Sequence, residues 1–188
     1  MEKQNIYIIQ MHTKTVPARF VKLMTRYRYS HVGICLEKDC DTIYSFGRRS
    51  LRNILNGGFV EEERTGAFFQ KFHKTACRIY ELEVNKEQYQ SVKEQLAYIK
   101  EHQDEYKYDF VDAVLRNFWI PISFNKSYVC SQFVAEVLSR AGILKFDKKI
   151  CMIRPKDFAK QDWKEIYTGK YTLYSGSVLR EQEPVNYA

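Results

Sequence analysis

The chain of 188 residues lacks an apolar run long enough to cross a bilayer, for which a helix needs about 18 consecutive apolar residues. The longest candidate, from Phe118 to Phe124, is short and contains Pro121. The first residues also lack the charged start and apolar stretch that are typical of a secretion signal. We therefore expect a soluble, cytoplasmic protein without a transmembrane segment.

Paired cysteines are also lacking, since no two cysteines stand in the C-x-x-C spacing of zinc sites and redox motifs. The five cysteines are Cys35, Cys40, Cys77, Cys130 and Cys151. Their odd number and irregular spacing predict free thiols in a reducing compartment. The sequence implies neither a metal nor an organic cofactor.

A basic tail is absent although the net charge is +7. Because the charge is spread along the chain, we expect a generally basic surface and no nucleic-acid partner. The densest basic stripe, Arg19, Lys22 and Arg26, lies on a helix that Pro17 is expected to open. We interpret it as a solvated face, and docking on anionic partners is the alternative. Oligomeric state cannot be read from the sequence.

The composition and the absence of internal repeats predict one domain over residues 1–188, with 45% apolar and 28% charged residues. The expected strands are Asn5–Met11, His31–Leu36, Thr42–Phe46, Phe59–Glu63 and Thr75–Val84. The first expected helix is capped by Asn85 and has the apolar stripe Tyr89, Val92, Leu96 and Ile99. Three further helices are expected over Phe110–Phe118, over Ser127–Gly142 and, as a short one, near Arg154–Phe158. Ile166–Tyr174 is expected to be irregular or strand. The fold class is therefore α+β, with an antiparallel sheet packed against helices.

The segment Ser127–Gly142 contains the most informative cysteine. Cys130 falls in the first turn of the predicted helix and on its apolar face, so its sulfur should point at the sheet. The free N–H groups and the positive dipole end of a helix start favour a thiolate, and a nearby imidazole can take the proton. His31 begins a predicted strand and could face that helix. The competing interpretation is that Cys130 is a core residue, as buried cysteines often are.

Two motifs carry a resemblance to a known family. S-H-V-G-I-C-L, which contains His31, precedes Y-V-C-S-Q-F-V-A-E-V-L, which contains Cys130. This order resembles the circularly permuted branch of the NlpC-type papain-like superfamily, to which YiiX-like proteins and, more distantly, lecithin–retinol acyltransferase relatives belong. Y-S-F-G-R-R and G-G-F-V-E-E are similar to a bacterial subgroup. The resemblance covers about Asn5 to Phe158 and implies a permuted papain-like fold.

The resemblance implies that Cys130 is a nucleophile and His31 its general base. The residue that orients the imidazole would be Ser45, with Tyr44 as second choice and Glu61 as an alternative from the next segment. The backbone N–H of Cys130 would supply part of an oxyanion hole, with Tyr128 or Gln10 as additional donors.

The expected reaction is acyl transfer through a thioester, which makes the chain a thiol hydrolase (amidase or peptidase) or an acyltransferase. The expected substrate is a small-molecule, peptide or lipid-derived amide or ester. Two alternatives stay open. One is a degenerate papain-like binding module, and the other is a basic surface protein that docks on anionic partners.

Overall fold

The computed structural model describes residues 3–13, 27–49, 57–108 and 127–176. Its strands are β1 (Lys3–His12), β2 (His31–Cys35), β3 (Thr42–Arg48), β4 (Gly57–Glu63), β5 (Ala76–Asn85), β6 (Lys107–Tyr108), β7 (Ser127–Tyr128) and β8 (Lys164–Lys170). Six of them form one antiparallel sheet in the order β4-β3-β2-β1-β5-β8. The other two, β6 and β7, pair with each other in parallel. The predicted α+β class with an antiparallel sheet is confirmed.

The helices are α1 (Ala67–Lys71), α2 (Lys86–Glu101), α3 (Cys130–Arg140) and α4 (Pro155–Phe158). Asn85 caps α2 as predicted, and its side chain and that of Gln88 each accept from the other's backbone N–H. Gly142, at φ +65°, follows the end of α3, in the left-handed conformation expected of a helix stop. None of the helices in these described ranges is long and apolar enough to span a membrane. The predicted helix over Phe110–Phe118 lies outside the described residues.

The sheet buries side chains on both of its faces. Alternation along the strands puts Ile8, Val32 and Phe46 on one face, where they form a core with α2 and α3. We call this the helix face. Ile9, Met11, Cys35, Ile43 and Cys77 lie on the other face, where they pack against Phe69 of α1 and Tyr171. We call this the opposite face.

The direction of α3 relative to the sheet follows from contacts at its two ends. At its C-terminal end, the Gln88 side chain donates to the carbonyl of Gly142; Gln88 lies three residues beyond Asn85, which pairs with Lys3 at the start of β1. At its N-terminal end, Ser131 of α3 and Gln10 near the end of β1 both contact the short segment that leads into α4. Together these contacts orient α3 antiparallel to β1.

The segment that leads into α4 joins the start of α3 to the end of β1. The Ser131 hydroxyl donates to the carbonyl of Ile153 at 2.7 Å, and the Gln10 side-chain amide donates to the carbonyl of Pro155. Ile153 and Pro155 are separated by a single residue. Cys130 therefore lies over the end of the sheet at which β1 finishes and β2 begins.

An arginine closes one edge of the sheet. Arg49 follows β3, and its guanidinium donates to the carbonyl of Phe59 on the edge strand β4 at 3.4 Å and to that of Gln103 at 2.6 Å. Gly58 makes room for it, because a Cβ at that position would lie 2.6 Å from the guanidinium carbon. Arg49 thus connects the edge strand β4 to the residues that follow α2.

Candidate active site

Cys130 is the first residue of α3, and Val129 is its N-cap. The thiol is nearly buried, with 5% of the residue exposed. The predicted apolar face of the helix is confirmed, since Phe133, Val134, Val137 and Leu138 are buried. The first backbone N–H groups of a helix have no partner within the helix, and they place partial positive charge at its start. A helix start of this kind favours an anion, whereas burial favours the neutral thiol.

Polar side chains are buried at the same end of the helix face. Gln10, Ser131 and Gln132 are all less than one tenth exposed. The amide of Gln10 is engaged on both sides, because Tyr27 donates its hydroxyl to Oε1 at 2.7 Å and Nε2 donates to Pro155. Gln10 therefore lies at the same end of the sheet as Cys130, and its side-chain N–H already has an acceptor in the Pro155 carbonyl. Its role as a donor stays a prediction.

His31 is the first residue of β2 and lies on the opposite face. It pairs with Met11, which belongs to the core of that face, and residues paired across antiparallel strands share a face. Its Nε2 lies 3.8 Å from Oε2 of Glu62, and its Cε1 lies 3.6 Å from where a Cβ of Gly47 would be. The prediction that the His31 side chain faces the helix of Cys130 is therefore wrong.

The contact between His31 and Glu62 joins two groups that burial keeps neutral. Burial, with a smaller effect of the Arg48 cation, lowers the pKa of the His31 imidazole to about 4. Burial raises the pKa of the Glu62 carboxyl to about 7, and Arg48 opposes that shift. Between these two values neither group carries a charge, so the contact is not an ion pair there. At neutral pH an uncharged imidazole lies beside a carboxyl that is close to its midpoint.

Glu62 was missed by the sequence interpretation, which named Glu61 instead. Glu61 pairs with Tyr44 on the helix face and accepts from Lys100 of α2 at 3.0 Å, so the alternative that it reaches His31 is wrong. Glu62 pairs with Ile43 and shares the face of His31. Alternation along β4 was the signal that could have separated the two glutamates.

The other two proposed orienting residues have structural contacts. The Ser45 hydroxyl is fully buried and donates to the carbonyl of Val32 at 2.7 Å. Tyr44 lies on the helix face and stacks on Phe59 with ring centroids 6.4 Å apart; burial raises the pKa of its phenol. The orienting role given to Tyr44 is wrong, because it faces away from His31. That of Ser45 stays a prediction.

Tyr128, the other predicted oxyanion donor, belongs to an aromatic cluster beside α3. Its ring centroid lies 5.2 Å from that of Phe46. Burial, and then the carboxylate of Glu136, raise the pKa of its phenol. The side chain lines a cavity of about 270 Å³ between α2 and α3. Its role as an oxyanion donor stays a prediction.

A second imidazole at this end of the sheet is His12, the last residue of β1. Alternation puts it on the helix face with Gln10, and it is 7% exposed. The sequence did not single it out, because the predicted strand ends at Met11 and leaves His12 outside it. The remaining two histidines lie elsewhere: His73 is exposed after α1, and His102 follows α2.

The remaining cysteines differ from Cys130 in position. Cys35, Cys40 and Cys77 are fully buried on the opposite face, and burial raises the pKa of the Cys35 and Cys77 thiols. Cys151 is partly exposed in a 3-10 helix, Ile150–Met152. Of the five, Cys130 alone lies in the first turn of one of the longer described helices.

Within the described ranges, no group of three or more His, Cys, Asp or Glu side chains is arranged to hold a metal ion. Comparison of the chain with family models, with curated proteins and with solved structures finds no match. The family resemblance therefore rests on the sequence motifs alone. The basic stripe of Arg19, Lys22 and Arg26 lies outside the described residues.

Proposed function

We propose that the chain is a cysteine-dependent hydrolase or acyltransferase that forms a thioester on Cys130 from an amide or ester substrate. The observation that carries this proposal is the position of Cys130. It is the first residue of a helix, and it lies over a sheet end that also contains the buried imidazole of His12 and, on the opposite face, the partly exposed imidazole of His31. Buried cysteine is common in cores, but this combination is what thiol catalysis requires.

The reaction follows from these groups. An imidazole accepts the proton of the Cys130 thiol, and the thiolate attacks the carbonyl carbon. The backbone N–H groups at the start of α3 stabilise the oxyanion. The bond to the leaving amine or alcohol breaks, and the leaving group takes the proton from the imidazolium. Water, or an acceptor hydroxyl or amine, then attacks the thioester and loses a proton to the imidazole, and the Cys130 sulfur leaves and is reprotonated.

The first experiment measures thiol reactivity. Iodoacetamide is added to the whole chain at pH 6.5, and alkylation of each cysteine is followed by peptide mass spectrometry. An ordinary thiol is about 1% ionised at this pH. We expect Cys130 to react about tenfold or more faster than Cys151, although Cys151 is the more exposed. Cys151 is the matched control because it lies in the segment that contacts the start of α3.

The second experiment measures acyl transfer. We expect p-nitrophenyl acetate to give a burst of nitrophenol equal to the amount of chain, because a thioester accumulates before it is hydrolysed. Cys130→Ala should abolish the burst, whereas Cys151→Ala should retain it. If Cys151 reacts first and Cys130 is as slow as Cys35, the enzymatic proposal fails and the binding-module alternative is favoured.

A further inference from the structure

We infer that His12, rather than His31, accepts the proton of the Cys130 thiol; this inference rests on the proposed function. The starting observation is that the two imidazoles at this end of the sheet lie on different faces. Met11 and His12 are neighbours on β1, so their side chains point in opposite directions. Met11 pairs with His31 in the opposite-face core, and His12 therefore lies on the helix face.

The register of Gln10, two residues before His12 on β1, supports the same assignment. Gln10 pairs with Val32, which is in the core that contains Cys130. His12 is two residues further along the same strand, and no irregularity interrupts its pairing with β5. Its imidazole thus follows Gln10 on the face that α3 covers.

Proximity to Cys130 follows from the hydrogen bonds at the start of α3. Ser131, which follows Cys130, donates to Ile153, and Gln10 donates to Pro155. One short segment thus contacts both Ser131 and Gln10, and Gln10 precedes His12 on the same face of β1. A strand rises about 3.3 Å per residue, so His12 lies about 7 Å beyond Gln10 along β1. That displacement is toward the open end of the sheet, where α3 begins.

The charged groups on this part of the helix face are paired. Arg78 of β5, which pairs with Gln10 across the strands, forms an ion pair with Glu165 at 3.2 Å. Tyr27 contributes a phenol whose pKa burial raises to about 12, so it is uncharged. The buried carboxylate of Asp157 is paired with Lys148 at 2.7 Å. The base for the Cys130 proton is therefore sought among the imidazoles, because these other groups are paired or neutral.

The test compares three conservative variants of the whole chain. His12→Gln removes the base on the helix face, His31→Gln removes the one on the opposite face, and His73→Gln changes an exposed imidazole as a control. We expect His12→Gln to slow iodoacetamide labelling of Cys130 at pH 6.5 about tenfold or more, since the loss of an imidazole partner restores an ordinary thiol pKa. The other two variants should stay within about twofold. Slow labelling of Cys35 and Cys77 verifies that each variant is folded.

The opposite result has a distinct meaning. If His31→Gln slows Cys130 and His12→Gln does not, the inference about His12 is overturned while the proposed function survives. If Cys130 is no more reactive than Cys151 in the unaltered chain, the proposed function and this inference fail together.

A measurement without a His12 variant keeps the inference testable if that variant does not fold. Histidine rings labelled with ¹³C are titrated by NMR in the unaltered chain and in Cys130→Ser. An imidazole that exchanges a proton with a thiol titrates differently once the thiol is gone. We expect the titration of His12 to change and that of His31 to stay the same, and an unchanged His12 titration would refute the inference.

Discussion

Both faces of the sheet bury cysteines, but the two settings differ in what surrounds the thiol. On the opposite face, Cys35 and Cys77 lie among aliphatic and aromatic side chains, and burial raises their pKa values. On the helix face, Cys130 is almost as buried but is the first residue of α3. The comparison teaches that the two settings share burial and differ in the free N–H groups of a helix start, which are the feature of the Cys130 setting that can offset lost hydration.

The histidines extend this comparison. His31 on the opposite face has a carboxyl neighbour, and burial keeps both groups neutral over much of the range from pH 4 to 7. His12 lies on the helix face, at the end of the sheet over which α3 begins, and is 7% exposed. The two faces can therefore be distinguished experimentally, first by stability and then by its dependence on pH.

The largest expected effect concerns the anchor of the helix that contains Cys130. Phe133 of α3 packs on Phe46 and Phe59 with centroids 5.0 and 5.8 Å apart. Phe133→Ala should lower the free energy of unfolding by about 3–5 kcal/mol, as measured by urea denaturation. Tyr98→Ala, at a side chain that is largely exposed, should change it by less than about 0.5 kcal/mol. A loss below about 1 kcal/mol for Phe133→Ala would show that α3 is not held by this contact.

The next effect is a pair of opposite pH dependences. The folded pKa of His31 is lowered, so its contribution to stability is lost as pH falls from about 6.5 toward 4. The folded pKa of Glu62 is raised, so its contribution is lost as pH rises from about 4.5 toward 7. In the unaltered chain these two slopes oppose each other.

Single variants should reveal the two slopes. Between pH 4.5 and 6.5, Glu62→Gln should make stability rise with pH relative to the unaltered chain, and His31→Gln should make it fall. Each shift is on the order of 2–3 kcal/mol. Urea midpoints at pH 4.5, 5.5 and 6.5 measure them. Slopes of the same sign in both variants would contradict the assigned pKa shifts.

A smaller effect is expected for Ser45→Ala on the opposite face. The variant leaves the buried carbonyl of Val32 without its hydroxyl donor, which should cost about 1–2 kcal/mol of unfolding free energy. Ser91→Ala on the partly exposed surface of α2 is the control and should be within about 0.5 kcal/mol. Labelling of Cys130 should change less than about threefold in Ser45→Ala. A larger change would support the orienting role predicted for Ser45.

The smallest effect concerns the cap of α2, the second helix on the helix face. Asn85→Ala removes the acceptor for the Gln88 backbone N–H and should cost about 1 kcal/mol, measured by thermal or urea unfolding. Asn85→Ser, which keeps a capping oxygen, should retain most of that stability. Equal losses in both variants would argue against the capping box.

Much of the sheet could be predicted because its strands alternate or are continuously apolar. Thr75–Val84 and Ala76–Asn85 differ by one residue at each end, and the cap at Asn85 was also correct. The start of α3 was predicted three residues early, at Ser127. Ser127 instead pairs with Lys107 in a parallel ladder, and local periodicity contains no information about so distant a partner.

The face of His31 could not be predicted, for a physical reason. Val32 and Ile34 alternate with Gly33 and Cys35, and all four are buried. A strand that is buried on both faces gives no polar side by which to assign its first residue. The helix that covers one face is about 100 residues away in the chain, so only the assembled sheet decides the outcome.

The hydrogen bond from Arg49 to the edge strand β4 has a consequence for self-association. A sheet edge exposes backbone groups that can template another strand, and Arg49 occupies the Phe59 carbonyl on that edge. Any side chain at Gly58 would displace the guanidinium and free that acceptor. Gly58→Ala should therefore increase light scattering by concentrated solutions of this chain, whereas unchanged scattering would show that the edge is guarded by other means. On this expectation, the absence of one methyl group at Gly58 would limit association between molecules.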